Sequence, residues 1–231
     1  MSNLFKKAAC FTDIHFGNKN NSRQHNIDCE EFVIWFIQEA KARGCETCIF
    51  LGDWHHHRAS VNVSTLNYTV SNFKKLSDAF EHVYMLVGNH DLFYREKREI
   101  NSFPFGAMFP NIHIINDDIT EIGGVALVPW LVGDEWKRMK KLKSRYVFGH
   151  FELPNFMMNA IVEMPDHGEL KAEDFQAAEY VFSGHFHKRQ ISGKVHYLGS
   201  PFAHNYADAW DDQRGCMFLD WGGEPTYVNY D

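Results

Sequence analysis

Seven side chains of the kinds that bind transition metals lie close behind short apolar runs of this 231-residue chain. They are two carboxylates, one amide and four imidazoles: Asp13, His15, Asp53, Asn89, His150, His185 and His187. Seven ligands exceed what one ion takes from a protein, so we expect two divalent ions that share a carboxylate. Two ions about 3.5–4 Å apart can clamp the attacking and the leaving oxygen of an in-line phosphoryl displacement.

The donor types also narrow the choice of metal. A mixed oxygen and nitrogen set suits manganese, iron or zinc better than calcium or magnesium. We therefore expect manganese, with iron, zinc, nickel or magnesium as alternatives.

The spacing within the ligand segments supports one shared site. Asp13 and His15, like His185 and His187, are one residue apart, which puts both side chains on the same face of an extended segment. A glycine directly precedes a ligand in four segments, at Gly52, Gly88, Gly149 and Gly184. Glycine has no Cβ, so a strand can end there in a tight turn. A single Gly-His pair is common at strand ends and is not evidence of a metal site. Five ligand segments in this order favour a metal site over a structural role.

The elements that must position these residues follow from hydrophobic patterning. Short runs rich in β-branched and aromatic residues predict buried strands. These runs are Ala8–Thr12, Thr47–Leu51, Val83–Val87, Ile112–Ile115, Val125–Val128, Tyr146–Phe148, Tyr180–Phe182, Val195–Leu198 and Met217–Leu219. Helical patterns at 26–43 and 62–80 separate the first three strands, so the chain begins as a parallel α/β sheet. In such a sheet ligands bind outside the carboxyl ends of the strands, where the seven side chains would converge.

The second half of the chain has a different pattern. Beyond Asp91 the predicted strands come closer together, and the segment 119–130 breaks at Gly123-Gly124 as a hairpin does. We expect a second sheet here, mixed or antiparallel. No repeat, low-complexity tract or linker interrupts the chain, which predicts one domain over residues 1–231.

Composition excludes several classes of protein. The chain has 23 Lys plus Arg against 30 Asp plus Glu, a formal charge of −7, which is opposite to the basic balance of many nucleic-acid binders. It has neither an apolar run of about 18 residues nor a signal peptide, so we expect a cytoplasmic protein without a membrane partner. Five scattered cysteines fit reduced thiols, and we expect Cys45 and Cys48 to be structural.

Together the motifs resemble the complete signature of the calcineurin-like metallophosphoesterases. The matching segments are Asp13-x-His15, Gly52-Asp53, Gly88-Asn89-His90-Asp91, Gly149-His150 and Gly184-His185-x-His187. The resemblance implies an α/β fold, a four-layer α/β/β/α sandwich with helices outside two mixed sheets. It also implies one metal held by Asp13, His15 and His187, a second held by Asn89, His150 and His185, and a bridging Asp53.

Two neighbouring residues could complete the reaction. His90 is the expected general acid, because it adjoins the ligand Asn89 and the His of this motif has that role in the family. Asp91 could orient the His90 ring. Alternatively, Asp91 only stabilises the loop.

Two further segments are similar to the SbcD-type nucleases of bacteria and phages, metal-dependent DNA-processing subunits that work with an SbcC-type ATPase. They are Trp54-His55-His56-His57-Arg58 and the stretch from Tyr197 to Tyr206. The resemblance implies DNA as substrate, an ATPase partner and pairing of two subunits through helices such as 62–80. In those nucleases a His shortly after the bridging Asp faces the substrate phosphate, and His56 is its equivalent here.

We further expect His55, Arg58 and His204 to contact substrate. The SbcD-type subunits usually continue into a capping domain and a segment that docks the ATPase, and neither is evident in this sequence. One basic stretch is concentrated on a predicted helix that begins at Asp134: Lys137, Arg138, Lys140, Lys141, Lys143 and Arg145. It is either a rail for a nucleic-acid backbone or a solvated helix face.

Three functions remain open on the sequence. A DNA nuclease, exo- or endonucleolytic, best explains the SbcD-like segments. A phosphatase or nucleotide phosphodiesterase would use the same metal centre and fits the acidic charge. A non-catalytic scaffold is the third, and the intact His90 and full ligand set argue against it.

Overall fold

The computed structural model describes residues 2–208 and 211–230, and its strands form two large sheets and one hairpin. The strands are β1 (Lys7–Phe11), β2 (Thr47–Phe50), β3 (His82–Leu86), β4 (Leu92–Tyr94), β5 (Lys97–Asn101), β6 (Ile112–Ile115), β7 (Thr120–Ile122), β8 (Val125–Leu127), β9 (Tyr146–His150), β10 (Tyr180–Gly184), β11 (Gln190–Ser192), β12 (Val195–Tyr197), β13 (Gly215–Asp220) and β14 (Thr226–Asn229). The α-helices are α2 (Arg23–Ala42) and α3 (Val63–Ala79), and they are preceded by a short turn, α1 (Asn18–Asn21), in which Lys19 and Asn20 have left-handed backbone angles. Short 3₁₀ helices occupy Pro104–Met108, Gly133–Lys141, Ala172–Asp174 and Tyr206–Asp208.

Both large sheets are mixed. The first has the order β14-β13-β1-β2-β3-β6, in which β1, β2, β3 and β6 are parallel and β13 and β14 are antiparallel to their neighbours. The second has the order β11-β12-β10-β9-β8-β7, with a parallel centre and antiparallel edge strands. The remaining strands, β4 and β5, form the separate hairpin.

Period-two alternation on the first strand explains how the layers stack. Ala9 and Phe11 of β1 point to the core shared with α2 and α3, whereas Ala8 and Cys10 point to the core between the sheets. A third core covers the far side of the second sheet, where Met139 and Phe175 lie among the packed side chains. The predicted sandwich of two mixed sheets flanked by helices is confirmed.

The two outer layers differ in regularity. Regular helices α2 and α3 cover the first sheet, and they begin close to the predicted boundaries. Asn62 caps α3 by accepting a hydrogen bond from the Ser64 N–H at 2.9 Å. The second sheet is covered by 3₁₀ helices and irregular chain between 151 and 178, and the helix predicted from Asp134 is a 3₁₀ helix.

The predicted hairpin at Gly123-Gly124 is present as β7 and β8, and both glycines have positive φ, 54° and 76°. Such turns match the twist of antiparallel strands and favour glycine. The hairpin β4–β5 was not predicted from the sequence, because β4 is an apolar run of only three residues and β5 is mostly charged. Within the described ranges, no helix combines the length and apolar character needed to cross a membrane.

Candidate metal centre

The seven predicted ligands meet at one edge of the sandwich, beyond the carboxyl ends of the central strands. Asp13 follows β1, Asp53 follows β2 and Asn89 follows β3. From the second sheet, His150 ends β9, and the His185–His187 segment follows β10 directly. Parallel strands place their carboxyl ends at one edge, so residues far apart in the chain become neighbours.

One cluster lies on the side of β1. The donor atoms of Asp13, His15 and His187 all lie within 4.8 Å of one another. The Nε2 atoms of His15 and His187 face each other at 3.2 Å, and Asp13 Oδ1 lies 3.8 Å from the first and 3.9 Å from the second. Asp53 approaches the same cluster, with Oδ2 3.8 Å from His15 Nε2.

A second cluster lies on the side of β9 and shares Asp53. The donors of Asp53, His150 and His185 also lie within 4.8 Å of one another. His150 Nε2 is 3.3 Å from Asp53 Oδ2 and 3.0 Å from Asn89 Oδ1, which in turn is 3.0 Å from His185 Nδ1. Asp53 therefore lies between the two clusters, where a bridging carboxylate is required.

The backbone at four ligands adopts a conformation that L-residues seldom use. The φ angles are positive at Asp13 (51°), His15 (54°), Asp53 (62°) and His185 (88°). Each such residue costs about 1–3 kcal/mol and persists only where the surrounding structure enforces it. The strain therefore marks this edge as a place where side-chain position outweighs stability.

Two glycines allow the ligand loops to approach closely. A Cβ at Gly88 would lie 2.3 Å from Asp53 Oδ1, and one at Gly184 would lie 2.1 Å from Thr12 Oγ1 and 2.8 Å from His150 Nδ1. Both contacts are far inside van der Waals distance. Any side chain at these glycines would displace a ligand or its support.

Other contacts fix which ring nitrogen each histidine presents. His150 Nδ1–H donates to the Leu51 carbonyl at 2.7 Å, which leaves Nε2 for the cluster. His185 Nε2 faces Glu152 Oε1 at 3.3 Å, and His187 Nδ1 faces Asp208 Oδ2 at 3.4 Å. Such outer partners orient metal-binding imidazoles and raise their basicity. Sequence reasoning missed both carboxylates, although Glu152 is one alternation beyond His150.

The charge at the centre calls for a cation. Asp13 and Asp53 are buried, and neither pairs with Lys or Arg within the described residues. Burial acts to raise the pKa of Asp53, but His150, His90 and His15 together hold it well below its usual range. Burial conversely acts to lower the pKa of His150, and Asp53 raises it to about 9. A divalent ion would neutralise the charge of the buried carboxylates and would displace the proton that His150 binds in its absence.

The donor set thus fits two divalent cations. Asp13, His15 and His187 would hold one and Asn89, His150 and His185 the other, with Asp53 shared. Carboxylate, amide and imidazole donors in these proportions suit transition metals, as the residue types alone predict.

His90 lies at the mouth of this centre. Its backbone N–H donates to Asp53 Oδ1 at 2.8 Å, and its ring centroid is 4.9 Å from that of His15. The ring Nδ1 lies 2.7 Å from the His56 carbonyl oxygen. A carbonyl only accepts, so Nδ1 carries the hydrogen and Nε2 is left for another partner.

The structure corrects the expectation that Asp91 orients the His90 ring. The Asp91 carboxylate is buried and accepts four backbone N–H bonds of 2.8–3.0 Å. The donors are Asp53, Trp54, His55 and Gly88. Asp91 therefore ties the β2 loop to the β3 loop, which is the loop-stabilising alternative.

Two of the expected substrate contacts are also corrected. His55 is buried between Ser102 Oγ at 2.7 Å and Thr69 Oγ1 at 2.9 Å, and burial lowers its pKa to about 3. His204 is buried and its Nε2–H donates to the Asp13 carbonyl at 2.7 Å. Both rings support the ligand loops from below, where substrate cannot reach them.

His56 and Arg58 are half-buried beside the centre. His56 Nδ1 lies 3.4 Å from His15 Nδ1, and the His56 ring stacks on His90 with centroids 5.5 Å apart. His15, His56 and His90 thus form a third group of donors within 4.8 Å. The roles of His56 and Arg58 toward substrate stay predictions.

The basic stretch 137–145 is largely neutralised. Four of its side chains pair with nearby carboxylates: Lys137 with Asp134, Arg138 with Asp118, Lys140 with Asp174 and Arg145 with Glu179. This pairing favours the solvated surface over the nucleic-acid rail. Elsewhere, the five cysteines are buried and free, as expected for structural thiols.

Comparisons with known proteins find relatives by sequence and by structure. Over 198 residues the chain is 29% identical to a protein of Enterobacteria phage T4 named "Exonuclease subunit 1", in an alignment covering 82% of this chain. That alignment covers 57% of the relative, so the chain spans less than two thirds of its length.

Two solved structures are also similar. A dimetal phosphatase from Danio rerio has a TM-score of 0.53 at 11% identity, covering 100% of this chain and 94% of that one, which shows the shared fold alone. The nuclease MPE of Pseudomonas putida has a TM-score of 0.43 at 20% identity, covering 82% of this chain and 66% of that one. The model of the family described as "Calcineurin-like phosphoesterase" matches residues 6–189. With its fold and ligand order already in agreement, the chain belongs to the calcineurin-like phosphoesterase family.

Proposed function

We propose that the chain is a metal-dependent nuclease that hydrolyses phosphodiester bonds in DNA, with residues 1–231 acting as one catalytic unit. The placement of His90 carries the proposal. Its ring lies beside His15 of the first donor cluster, its Nδ1–H is held by the His56 carbonyl, and its Nε2 is left for a leaving oxygen. The phage relative is named an exonuclease subunit, which supports a nucleic acid as the substrate.

The chain's own residues supply positioning and a proton. When bound, two divalent ions, which we propose to be manganese, would neutralise charge on the phosphate and activate water. The positive-φ loops hold the ligands in place before substrate binds. The backbone N–H of His90 donates to the Asp53 carboxylate, which fixes the position of the His90 backbone. His90 Nε2 carries a proton to the leaving oxygen, a contribution of about 10²–10⁴ in rate.

A second candidate is a phosphatase or nucleotide phosphodiesterase acting on small substrates. The neutralised basic stretch and the formal charge of −7 favour it, because affinity for a DNA backbone comes largely from unpaired Lys and Arg. The metal centre serves both reactions equally. Substrate length and ester type therefore decide between them.

The same proposal includes partners. Because the phage relative is named a subunit, we propose an SbcC-type ATPase as partner, acting in the cytoplasm. We also propose a homodimer through α3, where Val63 is 75% exposed and Leu66 37% exposed. Sedimentation of the purified chain alone and with the ATPase would show both assemblies.

The deciding experiment compares substrates in parallel. The purified protein with manganese is assayed on labelled single-stranded DNA, duplex DNA, RNA, bis-para-nitrophenyl phosphate and its monoester. We expect DNA and the diester to be hydrolysed. Hydrolysis of the monoester alone would replace the nuclease by the phosphatase.

A further inference from the structure

A small cavity adjoins the candidate metal centre on the side of β9. Its volume is ≈ 110 Å³, and its walls include Trp130, Trp136, His150, Glu152, Met164 and Glu169. Sites for whole drug-sized ligands are roughly 300–1,000 Å³, so this cavity fits one part of a longer substrate. Because His150 is a wall of the cavity and also a predicted ligand, whatever enters lies next to the reacting group.

The walls combine flat aromatic surface with hydrogen-bond acceptors. Trp130 is a buried wall, because its ring already contacts His185 at 5.2 Å and Arg95 at 5.3 Å. Trp136 is the half-buried indole, and it supplies the partly exposed aromatic surface of the cavity. Such an aromatic surface stacks nucleic-acid bases in a sequence-tolerant way.

A free carboxylate in the cavity favours a base over a phosphate. Glu152 already accepts from Arg95 at 3.2 Å, whereas Glu169 is exposed and has no ion-pair partner among the described residues. A carboxylate repels phosphate but accepts hydrogen bonds from the exocyclic amines of bases. Stacking surface and acceptors therefore point to the same class of ligand.

We propose that this cavity receives one unpaired nucleobase adjacent to the scissile phosphate, so that the preferred substrate is single-stranded or frayed DNA. The inference rests on the proposed nuclease function. A base inside a duplex is stacked and paired, and it must leave the stack to enter a pocket. The cavity thus selects strands whose bases are already free.

The test uses single-stranded oligonucleotides, intact or with one abasic site at each position near the cleaved bond. For the wild type with manganese, we expect an abasic site at one position to lower kcat/KM about tenfold, the effect of one lost stacking contact. Trp136→Ala should lower kcat/KM on intact DNA to a similar extent and should no longer respond to the abasic site. The matched control is Trp221→Ala, which removes a half-buried indole packed on Phe5 and Tyr146 and should respond like the wild type.

Comparing intact and abasic DNA within each protein cancels any effect of the substitution on folding. Glu169 is exposed, so Glu169→Ala serves as a second variant. It should weaken any preference for bases with exocyclic amines over thymine at the position where the abasic site lowers kcat/KM. Equal cleavage of intact and abasic strands by the wild type, or an abasic response that persists in Trp136→Ala, would overturn the base pocket and leave the nuclease standing. A wild type that hydrolyses bis-para-nitrophenyl phosphate but no DNA would instead overturn the proposed function.

Discussion

The site has two regions built in opposite ways. Its floor consists of the loops that carry Asp13, Asp53 and Asp91, where the side chains are buried and hydrogen-bonded to backbone. Its rim consists of the hairpin 92–101 and the segment 155–169, where Phe93 is 44% and Ile161 87% exposed. The floor fixes atoms that must be placed within tenths of an ångström. The rim presents apolar surface that can adapt to different substrates.

The contrast has a physical origin in the backbone. Floor residues hold strained φ angles because neighbouring loops bond them from several sides, as Asp91 does with four N–H donors. In the rim, by contrast, most of the hairpin side chains are exposed. Substitutions in the floor should therefore abolish chemistry or folding, and those in the rim should alter substrate choice.

The largest effect is expected at the shared carboxylate. Asp53→Asn keeps the shape and tolerates positive φ, but it removes the charge that both clusters share. We expect metal content to fall below one ion per chain. Diester hydrolysis should fall by at least about 10⁴-fold, because losing the metals should cost no less than losing a general acid, whose contribution reaches about 10⁴. Elemental analysis and a bis-para-nitrophenyl phosphate assay measure both. Asp118→Asn, which alters an exposed carboxylate, is the matched control, and full metal content in Asp53→Asn would contradict the shared role.

The next effect separates metal binding from proton transfer. His90→Ala should retain two metals, because His90 is not among the seven ligands, and should lose about 10²–10⁴ in turnover. The exposed neighbour His57 offers a control in His57→Ala. Unchanged turnover in His90→Ala would remove it from the mechanism.

The ligands at strand ends could be predicted from the sequence, because the carboxyl ends of parallel strands lie at one edge of the sheet regardless of the conformation of the loops. Asp13, Asp53 and His150 illustrate this, since each follows or ends a buried apolar run. The fates of His55 and His56 could not be predicted. They are consecutive, and only the path of the loop, bonded to Asp91 and paired with Phe16, sends one ring into the core and the other to the centre.

The carboxylates that orient the ligand histidines, and the rim, could not be predicted from the sequence either. Asp208 orients His187 from 21 residues away, and no periodicity connects them. The apolar run of the hairpin β4–β5 is only three residues long, Leu92–Tyr94, and its second strand, Lys97–Asn101, is mostly charged, so the hairpin gives no strand signal. These features depend on tertiary contacts that a linear pattern does not encode.

Acidic pH should lower the stability of the floor, because His55 is buried there in its neutral form. The pKa of His55 is about 3 when folded against about 6.5 when unfolded, so the unfolded chain binds more protons between these values. The His55 contribution to the unfolding free energy then falls by about 1.4 kcal/mol per pH unit below pH 6.5, or about 3 kcal/mol by pH 4. Urea titrations with a chelator at pH 7, 6, 5 and 4 should show this slope in the wild type and a shallower one in His55→Gln. Parallel slopes would show that His55 is not buried neutral.

Glu152 joins the two regions, because it faces His185 in the floor and pairs with Arg95 in the hairpin. Removing an outer partner of a metal-binding histidine typically costs 10–100-fold in metal affinity. We expect that loss in Glu152→Ala by competition titration with a metal-sensitive dye. Glu163→Ala, at an exposed rim position, is the control, and equal affinities in the two variants would place Glu152 in the rim alone.

The smallest effect on stability is expected at the tip of the hairpin. Tyr94 is 42% exposed, and the aromatic ring beside it is the equally exposed Phe93, with centroids 4.7 Å apart. Tyr94→Ser should change the unfolding free energy by less than about 0.5 kcal/mol, as surface substitutions usually do. If the rim contacts DNA, KM for single-stranded DNA should rise a few-fold through lost stacking, and kcat should hold. If urea titrations instead showed that Tyr94→Ser loses about 2 kcal/mol of unfolding free energy, Tyr94 would belong to the packed part of the molecule, because losses of that size come from buried groups. The boundary between floor and rim would then have to move outward.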